Sequence, residues 1–400
     1  MIQAVPRNET GSTDTHRRSN GTIRVLHVIN GEHYAGAARV QDLLAVNLPK
    51  HNCEAAFACV LPDQFGPQRI CQQTPLYEFP MRHKVDLRPA RRIADMVIAE
   101  GFDLIHSHET RSALIGATAA RLAGVPYIHH VHCQMSTEVG PRITTRIQTQ
   151  INATIERTAC RLADRVIAVS GSIQRFLQHN GFNQTPVCVI PNGVPDPNAT
   201  LRLRDERDPW TIGMVALLRE RKGLECLLDS LALLQSADGN IRLRIVGQFE
   251  SSGYERAIQT RIAELNIADR IDFTGFTRNV SHEIQQMDLL VLPSVLPEGM
   301  PMVLLEAMAA GVPVAGSRVD GITDVIRDTH NGILFDPGNP ESLASQVNRL
   351  LNGELNHRTL GENARQDYLA NYSDSVMAAR VADVYRTVLK QRHRLHEKGC

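Results

Sequence analysis

The amino-acid sequence predicts an α/β protein with two doubly wound domains, each built on a parallel sheet and facing a central cleft. The first observation is length, because 400 residues exceed what one hydrophobic core usually supports. The second is an alternation of short apolar runs with longer helical segments, which begins at residue 22. The third is that this alternation stops in a stretch rich in Pro and charge and then starts again.

Composition excludes several classes of protein. The chain has 43 Lys and Arg against 43 Asp and Glu, so no overall field recruits nucleic acid and we expect no nucleic-acid partner. The eight cysteines show neither C-x-x-C pairs nor zinc-site spacing, which favours reduced thiols in a cytoplasmic protein. Residues 1–20 are polar, lack a signal-sequence core and are predicted to be a disordered leader.

The first domain is predicted over residues 21–195. It begins with a strand at 23–29 and a small-residue loop that contains Gly36. Such a loop lets backbone approach a phosphate closely, although glycine in this kind of turn often has only a steric role. A helix is predicted at 40–48, and further buried strands are predicted at 55–61, 104–105, 127–131, 165–169 and 187–190. Polar residues follow these strands, at the position where α/β sheets bind ligands.

The second domain is predicted over residues 210–371, after a linker at 196–209 that has no apolar periodicity. Its predicted strands are 211–215, 241–246, 271–274, 289–292 and 312–315. Helical segments separate them, so this sheet is again predicted to be parallel, with right-handed connections.

The most informative segment runs from residue 292 to residue 313. A short loop presents Glu298, and Gly299 leads into a helix whose first turn has free backbone N–H groups, which form an anion site. Glu306 follows about two helical turns later. Two carboxylates beside free amides can hold hydroxyl and phosphate groups together. Taken singly, each Glu is as readily explained as an ordinary loop or helix acid.

Segment 292–313 resembles the E-x7-E signature of the large family of retaining glycosyltransferases that includes sucrose synthases and many envelope-polysaccharide enzymes. The resemblance includes Glu-Gly-Met-Pro and Glu-Ala-Met-Ala-x-Gly-x-Pro, and it extends over nearly the whole chain after residue 22. It implies the GT-B fold, in which two Rossmann-like domains close over a nucleotide-sugar donor without a divalent metal. It also implies that residues 372–400 form a helix that packs back onto the first domain.

The resemblance also implies a role for each matched residue. Glu298 is expected to hold hydroxyl groups of the donor sugar, Glu306 the ribose, and Lys222 the donor phosphates. His132 matches a family histidine that lies against the donor sugar, so His132, Glu298 and Lys222 are the candidate catalytic residues. The candidate donor-binding residues are Gly36, Arg219, Lys222, Gly247, Val280, Glu298, Gly299, Met300, Pro301 and Glu306.

Two positions depart from the family pattern. Leu217 stands where the family usually has a phosphate-binding Arg, and Arg219 or Arg221 either replaces it or is a solvated loop charge. Cys133 replaces the Gly that usually follows the histidine. These departures motivate one other hypothesis, a non-catalytic subunit of the same fold. A second alternative is another enzyme class of this fold, a nucleotide-sugar epimerase, which would convert the donor sugar with no acceptor present.

Two further patterns concern metals and membranes. Five histidines near two strand ends, at 106, 108, 129, 130 and 132, suggest a metal site, but no carboxylate is patterned beside them, so we expect no metal cofactor. Segment 141–163 has isoleucines spaced by four beside several arginines. That pattern fits peripheral membrane contact, but it is more typical of a helix that faces the core.

The resemblance therefore implies a cytoplasmic hexosyltransferase, with peripheral contact at the inner membrane face as an option. Its donor is a UDP-, GDP- or ADP-linked sugar, and its acceptor is a carbohydrate or a lipid-linked molecule. Transfer would proceed with retention, in envelope polysaccharide or glycolipid synthesis. The sequence does not distinguish the three nucleotides, because specificity depends on a few pocket contacts.

Overall fold

The computed structural model describes residues 21–83, 86–134, 143–182, 185–197, 209–234 and 241–398, without the side chains of 143–149 and 395–398. The predicted leader and residues 198–208 of the predicted linker lie outside the described residues.

The first half of the chain forms one parallel sheet with seven strands among the described residues. These are β1 Ile23–Ile29, β2 Cys53–Cys59, β3 Leu76–Glu78, β4 Leu104–Ser107, β5 Tyr127–Val131, β6 Arg165–Ala168 and β7 Val187–Val189. Their order is β3-β2-β1-β4-β5-β6-β7. The chain therefore winds outward from β1 in one direction and from β4 in the other, so the switch point lies between β1 and β4.

Helices connect these strands, as the crossovers of a parallel sheet require. They are α1 Gly36–Asn47, α2 Phe65–Gln68, α3 Arg88–Glu100, α4 Thr110–Ala123, α5 Ile143–Leu162 and α6 Gly171–His179. Local sequence sets several of their ends. The α4 helix begins with a capping box between Glu109 and Ser112, and α3 ends at Gly101, whose φ of 69° suits glycine.

The second half repeats this architecture, with six described strands. They are β8 Trp210–Val215, β9 Ile241–Val246, β10 Ile271–Gly275, β11 Leu289–Leu292, β12 Val314–Ser317 and β13 Ile333–Phe335. Their order is β10-β9-β8-β11-β12-β13, and all the pairs are parallel. The helices are α7 Leu224–Leu233, α8 Ser252–Leu265, α9 Val280–Gln285, α10 Met302–Ala309, α11 Pro340–Leu351, α12 His357–Asn371 and α13 Asp374–Lys398.

The predicted fold class, two doubly wound parallel-sheet domains, is confirmed. Strand β12 begins two residues later than predicted, because the Val312 amide bonds to Ala307 at the end of α10 and Pro313 has no amide to donate. Strands β3 and β13 were not among the predicted strands. Each has three residues, which is too short for a periodic pattern.

The last helix connects the two halves. At its start, Asp374 accepts a hydrogen bond from Asn47 Nδ2 at 3.0 Å, and Arg386 further along donates to the His51 carbonyl at 2.7 Å. Tyr385, fully buried, reaches the first sheet through His106. Helix α13 therefore packs on the first half of the chain, although it follows the second half in sequence.

Candidate active site

A cavity of ≈ 770 Å³ lies between the carboxyl ends of the two sheets. The first half contributes Gly36 and Arg39, at the start of α1, and the second half contributes Gly247, Val280 and Glu306. Carboxyl ends of parallel strands are where sheets of this kind bind ligands, because the loops there carry free backbone groups. The cavity therefore joins four predicted donor-binding residues: Gly36, Gly247, Val280 and Glu306.

Glu298 is held in place by two partners in the second half of the chain. Lys222 Nζ lies 2.7 Å from Glu298 Oε1, and the Ser294 hydroxyl donates to the same oxygen at 2.7 Å. The Lys222 and Glu298 side chains are only 15% and 12% exposed, so the ion pair is little screened by water. Lys222 precedes α7 and Ser294 follows β11, so two strand-to-helix connections converge on this carboxylate.

Glycines bring Glu298 close to the first half of the chain. A Cβ atom at Gly299 would overlap the His132 carbonyl oxygen, and one at Gly321 would overlap the Glu298 carbonyl. Any larger residue at either position would force the backbone segments apart. The structure thus brings His132 next to the loop that carries Glu298, as a shared catalytic site for these two residues requires.

Glu306 forms an ion pair across the cavity. Its Oε1 atom lies 2.7 Å from Arg39 Nη2, and the two side chains are 12% and 32% exposed. Sequence reasoning missed Arg39, which lies in the first turn of α1, three residues after Gly36. Its position one helical turn from a residue of a candidate phosphate loop was the available signal.

His132 is enclosed by other histidines. Its Nε2 atom lies 3.2 Å from His108 Nδ1, and the His108 Nε2 atom lies 2.9 Å from His27 Nδ1. Burial lowers the pKa of His132 to about 3, since desolvation disfavours the charged ring. His132 is therefore neutral at pH 7 and can both donate and accept one hydrogen bond.

Several predicted residues lie beside the cavity rather than in its lining. Met300 and Pro301 are buried just before α10, whose residues Met302 and Glu306 line the cavity. Lys222, Glu298 and His132 are not among the lining residues either. Arg219, which is also outside the lining, pairs with the exposed Glu250 at 3.4 Å, so this placement does not support its predicted phosphate contact. The nearby departure from the family pattern, Leu217, does line the cavity.

Arg221 supports the loop before Glu298. Its guanidinium donates to the Pro297 carbonyl at 2.8 Å, and its own carbonyl accepts from the Val295 amide at 3.0 Å. Of the two arginines considered as substitutes for the one missing at position 217, Arg221 is therefore the one that contacts the Glu298 loop.

Three groups of side chains have the composition of metal ligands within the described residues, each with its ligand atoms within 4.8 Å. Two contain only histidines, and the third joins His129, Glu156 and Cys160. The last group was not expected, because Glu156 is far from the histidines in sequence. Its His129 Nε2 and Glu156 Oε1 atoms lie 2.8 Å apart, which is a hydrogen-bonded distance.

Helix α5 corresponds to the predicted amphipathic segment. Ile155 is buried and Ile151 is 41% exposed, whereas the side chains of Ile143 and Ile147 lie outside the described residues. The described part of the isoleucine stripe thus faces the core only in part. Among the helices that the structure describes, none combines the length and the apolar character needed to cross a bilayer.

Two Rossmann-like sheets that share a ligand cleft define the GT-B glycosyltransferase architecture, and solved structures share it. HepE from Anabaena, solved in complex with UDP, superposes with a TM-score of 0.78 at 21% identity, over 91% of this chain and 100% of that one.

The family follows from sequence comparisons. Family models match residues 202–367 (Glycosyl transferases group 1) and residues 34–196 (Glycosyltransferase Family 4). The 2-deoxystreptamine glucosyltransferase of Streptomyces kanamyceticus is 32% identical over 269 residues, which are 62% of this chain and 68% of that protein. The lipopolysaccharide 1,6-galactosyltransferase of Escherichia coli is 28% identical over 233 residues, 56% of this chain and 63% of that protein. The chain belongs to the group 1 glycosyltransferases.

Proposed function

We propose that this chain transfers a hexose from a nucleoside-diphosphate sugar to a hydroxyl group of a carbohydrate or lipid-linked acceptor. The proposal includes retention of anomeric configuration, turnover without a metal ion, and a role in envelope polysaccharide or glycolipid synthesis in the cytoplasm or at the inner membrane face. The observation that carries it is the interdomain cavity, whose lining includes Gly36 of the first half and Glu306 of the second, together with the Lys222–Glu298 ion pair of the second half.

Positive charge on the phosphate side supports transfer without a metal. A nucleoside diphosphate leaves only when its growing negative charge is stabilised by groups already in position. Lys222 is held 2.7 Å from Glu298, and Arg39 is held 2.7 Å from Glu306. Both cations are preorganised by these carboxylates. Lys222 and Arg39 together supply the positive charge that is missing at position 217, where this chain has Leu instead of the usual Arg.

In this proposal the two carboxylates bind different parts of the donor. Glu298, with one oxygen bound to Lys222 and Ser294, receives hydroxyl groups of the sugar. Glu306 lies in the cavity with Gly247 and Val280 and receives the ribose. His132, whose carbonyl lies against Gly299, contacts a sugar hydroxyl near the reacting carbon in this proposal. The hydroxyl oxygen of the acceptor then bonds to the anomeric carbon on the face from which the nucleoside diphosphate leaves, and the proton of that hydroxyl passes to the departing diphosphate.

The relatives suggest which donor and acceptor to test first. HepE was solved with UDP, so UDP-linked sugars precede GDP- and ADP-linked sugars in the order of testing. The relatives named above act on an aminocyclitol and on lipopolysaccharide. An acceptor panel therefore contains an aminocyclitol, free oligosaccharides and a lipid-linked saccharide.

Thermal unfolding with a panel of nucleotides and nucleotide sugars tests the donor site, because a ligand that binds the native state stabilises it by about 2.7 kcal/mol at a hundred times its Kd. We expect stabilisation by one nucleotide sugar, its loss in Glu306→Ala, and its retention in Glu362→Ala, which removes an exposed carboxylate paired with Arg358. Product formation is then followed in the presence of a chelator, and the anomeric configuration of the product is read by NMR.

Leu217 favours a non-catalytic subunit as the second candidate. That candidate predicts nucleotide binding without product for any acceptor. Transfer that is abolished by Glu306→Ala would exclude it, whereas conversion of the donor sugar without an acceptor would indicate an epimerase. Absence of any nucleotide-induced stabilisation would contradict the donor site itself.

A further inference from the structure

Five histidines occupy one face of the first sheet near its carboxyl edge. His27 lies on β1 opposite His106 on β4, and His108, His130 and His132 continue the pattern at intervals of two residues. Alternate residues of a strand point to the same face of the sheet. Four of the five residues are at most 1% exposed: His27, His106, His108 and His130.

Three of these rings are joined end to end. The His27 and His108 rings are tilted by 16° with centroids 5.1 Å apart, yet their bonded nitrogens are only 2.9 Å apart. The His108 and His132 rings show the same relation. Their planes are tilted by 23°, their centroids are 5.4 Å apart, and their bonded nitrogens are 3.2 Å apart. Rings with nearly parallel planes and such short N···N separations meet edge to edge, so each contact is an N–H···N hydrogen bond.

Tyr385 ends this row in the interior. Its hydroxyl lies 2.7 Å from His106 Nδ1 and 3.4 Å from His27 Nε2. The shorter distance is typical of an O–H donor, so the hydroxyl donates to His106 and its oxygen accepts from His27. His132 Nδ1, at the other end, has no hydrogen-bond partner among the described residues.

The direction of the Tyr385 hydrogen bond determines every later one. Because His27 Nε2 donates to Tyr385, His27 Nδ1 must accept from His108 Nε2. His108 Nδ1 must then accept from His132 Nε2, which leaves an unprotonated lone pair on His132 Nδ1. A neutral imidazole carries only one proton, so this arrangement follows once the Tyr385 hydroxyl donates to His106. If the hydroxyl donated to His27 instead, every proton of the row would lie on Nδ1, which is the alternative that a measurement of the tautomers distinguishes.

We propose that His108, His27 and Tyr385 are positioning residues for sugar transfer: they form a hydrogen-bonded row that keeps the proton of His132 on Nε2, so that Nδ1 accepts a hydrogen bond from a hydroxyl of the bound sugar. This inference rests on the proposed function, which puts the donor sugar against His132. In this inference the side chain that sets the tautomer of His132 is Tyr385. It lies on α13, the last helix, which packs back onto the first half of the chain.

A spectroscopic measurement tests the row without any substrate. Nitrogen-15 NMR of histidine-labelled protein distinguishes Nε2–H from Nδ1–H tautomers, and we expect Nε2–H at His27, His108 and His132. Tyr385→Phe removes only the hydroxyl and should produce mixed tautomers at these positions. Tyr368→Phe is the matched control, since Tyr368 is also fully buried but donates to the Val194 carbonyl instead.

Kinetics test whether the row acts on transfer. We expect His108→Asn to lower kcat on the order of tenfold to a hundredfold, and Tyr385→Phe to lower it by about threefold to tenfold, with little change in KM for the donor. If both act through one row, Tyr385→Phe has no further effect once His108 is Asn. Effects of a merely structural origin would combine independently and would appear in Tyr368→Phe as well.

The two measurements fail in different ways. If the wild-type protein turns over no nucleotide sugar, the proposed function fails, but the tautomers still decide whether the row exists. Nδ1–H tautomers in the wild-type protein, or tautomers that Tyr385→Phe leaves unchanged, would overturn the inference. Equal losses of kcat in Tyr385→Phe and Tyr368→Phe would overturn it as well.

Discussion

The two halves of the chain stabilise their buried polar side chains near the cleft in different ways. The wall from the second half carries charges in ion pairs, with Lys222 on Glu298 and Glu306 reaching across to Arg39. The first half contributes Arg39 to the lining of the cavity, and it also carries neutral histidines, outside the lining, that bond to one another. The ion-paired side chains Lys222, Glu298 and Glu306, called the charged wall below, can exchange their internal partners for the charges of a ligand. The row of histidines, called the neutral wall below, can offer only single hydrogen bonds.

Burial explains why the walls differ. The side chains of the charged wall keep 12 to 15% exposure at Lys222, Glu298 and Glu306, and each charge has a partner. Full burial of an unpaired ion is too costly, so the group becomes neutral instead. Burial accordingly lowers the pKa of both His27 and His132 to about 3. The difference between the walls therefore predicts that they respond to different perturbations.

The largest expected effect comes from removing a charge from the second wall. Lys222→Met keeps the length of the side chain but leaves the donor phosphates without their ammonium group. We expect kcat/KM to fall by about 10²–10³, which is typical for the loss of one preorganised stabilising group. The measurement is steady-state transfer with the donor identified by thermal unfolding.

Lys390→Met is the control for this change, because Lys390 is an exposed lysine on α13. It should leave kcat/KM unchanged. A loss of less than tenfold in Lys222→Met would show that the donor phosphates are stabilised elsewhere, and the contrast between the two walls would lose its functional meaning.

The neutral wall should respond to acid instead. In the folded protein the pKa of His27 is about 3, against about 6.5 for an unperturbed histidine. Between these values the unfolded chain binds more protons, so the free energy of unfolding rises with pH and is lost as the pH falls below about 6.5. Each such histidine contributes up to about 1.4 kcal/mol per pH unit, or about 2 kcal/mol between pH 7 and pH 5.

Urea unfolding at pH 7 and pH 5 measures this loss. His27→Gln removes one titrating group, so it should lose less free energy of unfolding between the two pH values than the wild-type protein does. His330→Gln, at an exposed histidine, should behave as the wild type. Equal pH dependence in all three proteins would mean that the His27 ring does not oppose protonation in the folded state.

The sequence predicts features that lie within one continuous segment better than contacts between segments that are distant in sequence. Strand β11 was predicted to the residue, because a strand buried on both faces is a continuous apolar run, here Leu-Leu-Val-Leu. Glu298 and Glu306 belong to one contiguous segment, so their motif was visible. The three-residue β3 at the sheet edge, partly exposed, has no such signal.

Contacts between distant segments were not predictable in this way. The partner of Glu306 is Arg39, in the other half of the chain, and the row that ends at His132 depends on the register of β1 against β4 and on Tyr385 in the last helix. Residue patterns indicate that the histidines share a face. They do not indicate which ring nitrogens meet, because that depends on packing across the sheet and under α13.

The smallest expected effect concerns the Arg39–Glu306 pair, which joins the two walls. In Arg39→Gln the Glu306 carboxylate keeps its charge but loses the guanidinium 2.7 Å away, so an unbalanced negative charge faces the diphosphate. We expect the Kd for the nucleotide to rise about tenfold, which corresponds to about 1.4 kcal/mol. Calorimetric titration at two salt concentrations checks this, with weaker salt dependence expected in the variant because one positive charge is gone.

Arg358→Gln is the matched control, since Arg358 pairs with Glu362 at a similar distance of 2.8 Å on the surface. Its nucleotide affinity should not change. Leu217 lines the same cavity as Arg39, so Leu217→Arg added to Arg39→Gln should recover part of the affinity. Recovery would show that Arg39, in the first half of the chain, supplies the phosphate-binding charge that an Arg at position 217, in the second half, supplies elsewhere in the family. If neither Arg39→Gln nor the added Leu217→Arg changed the affinity for the nucleotide, Lys222 would remain as the cation that holds the diphosphate. The first half of the chain would then contribute no charge to donor binding.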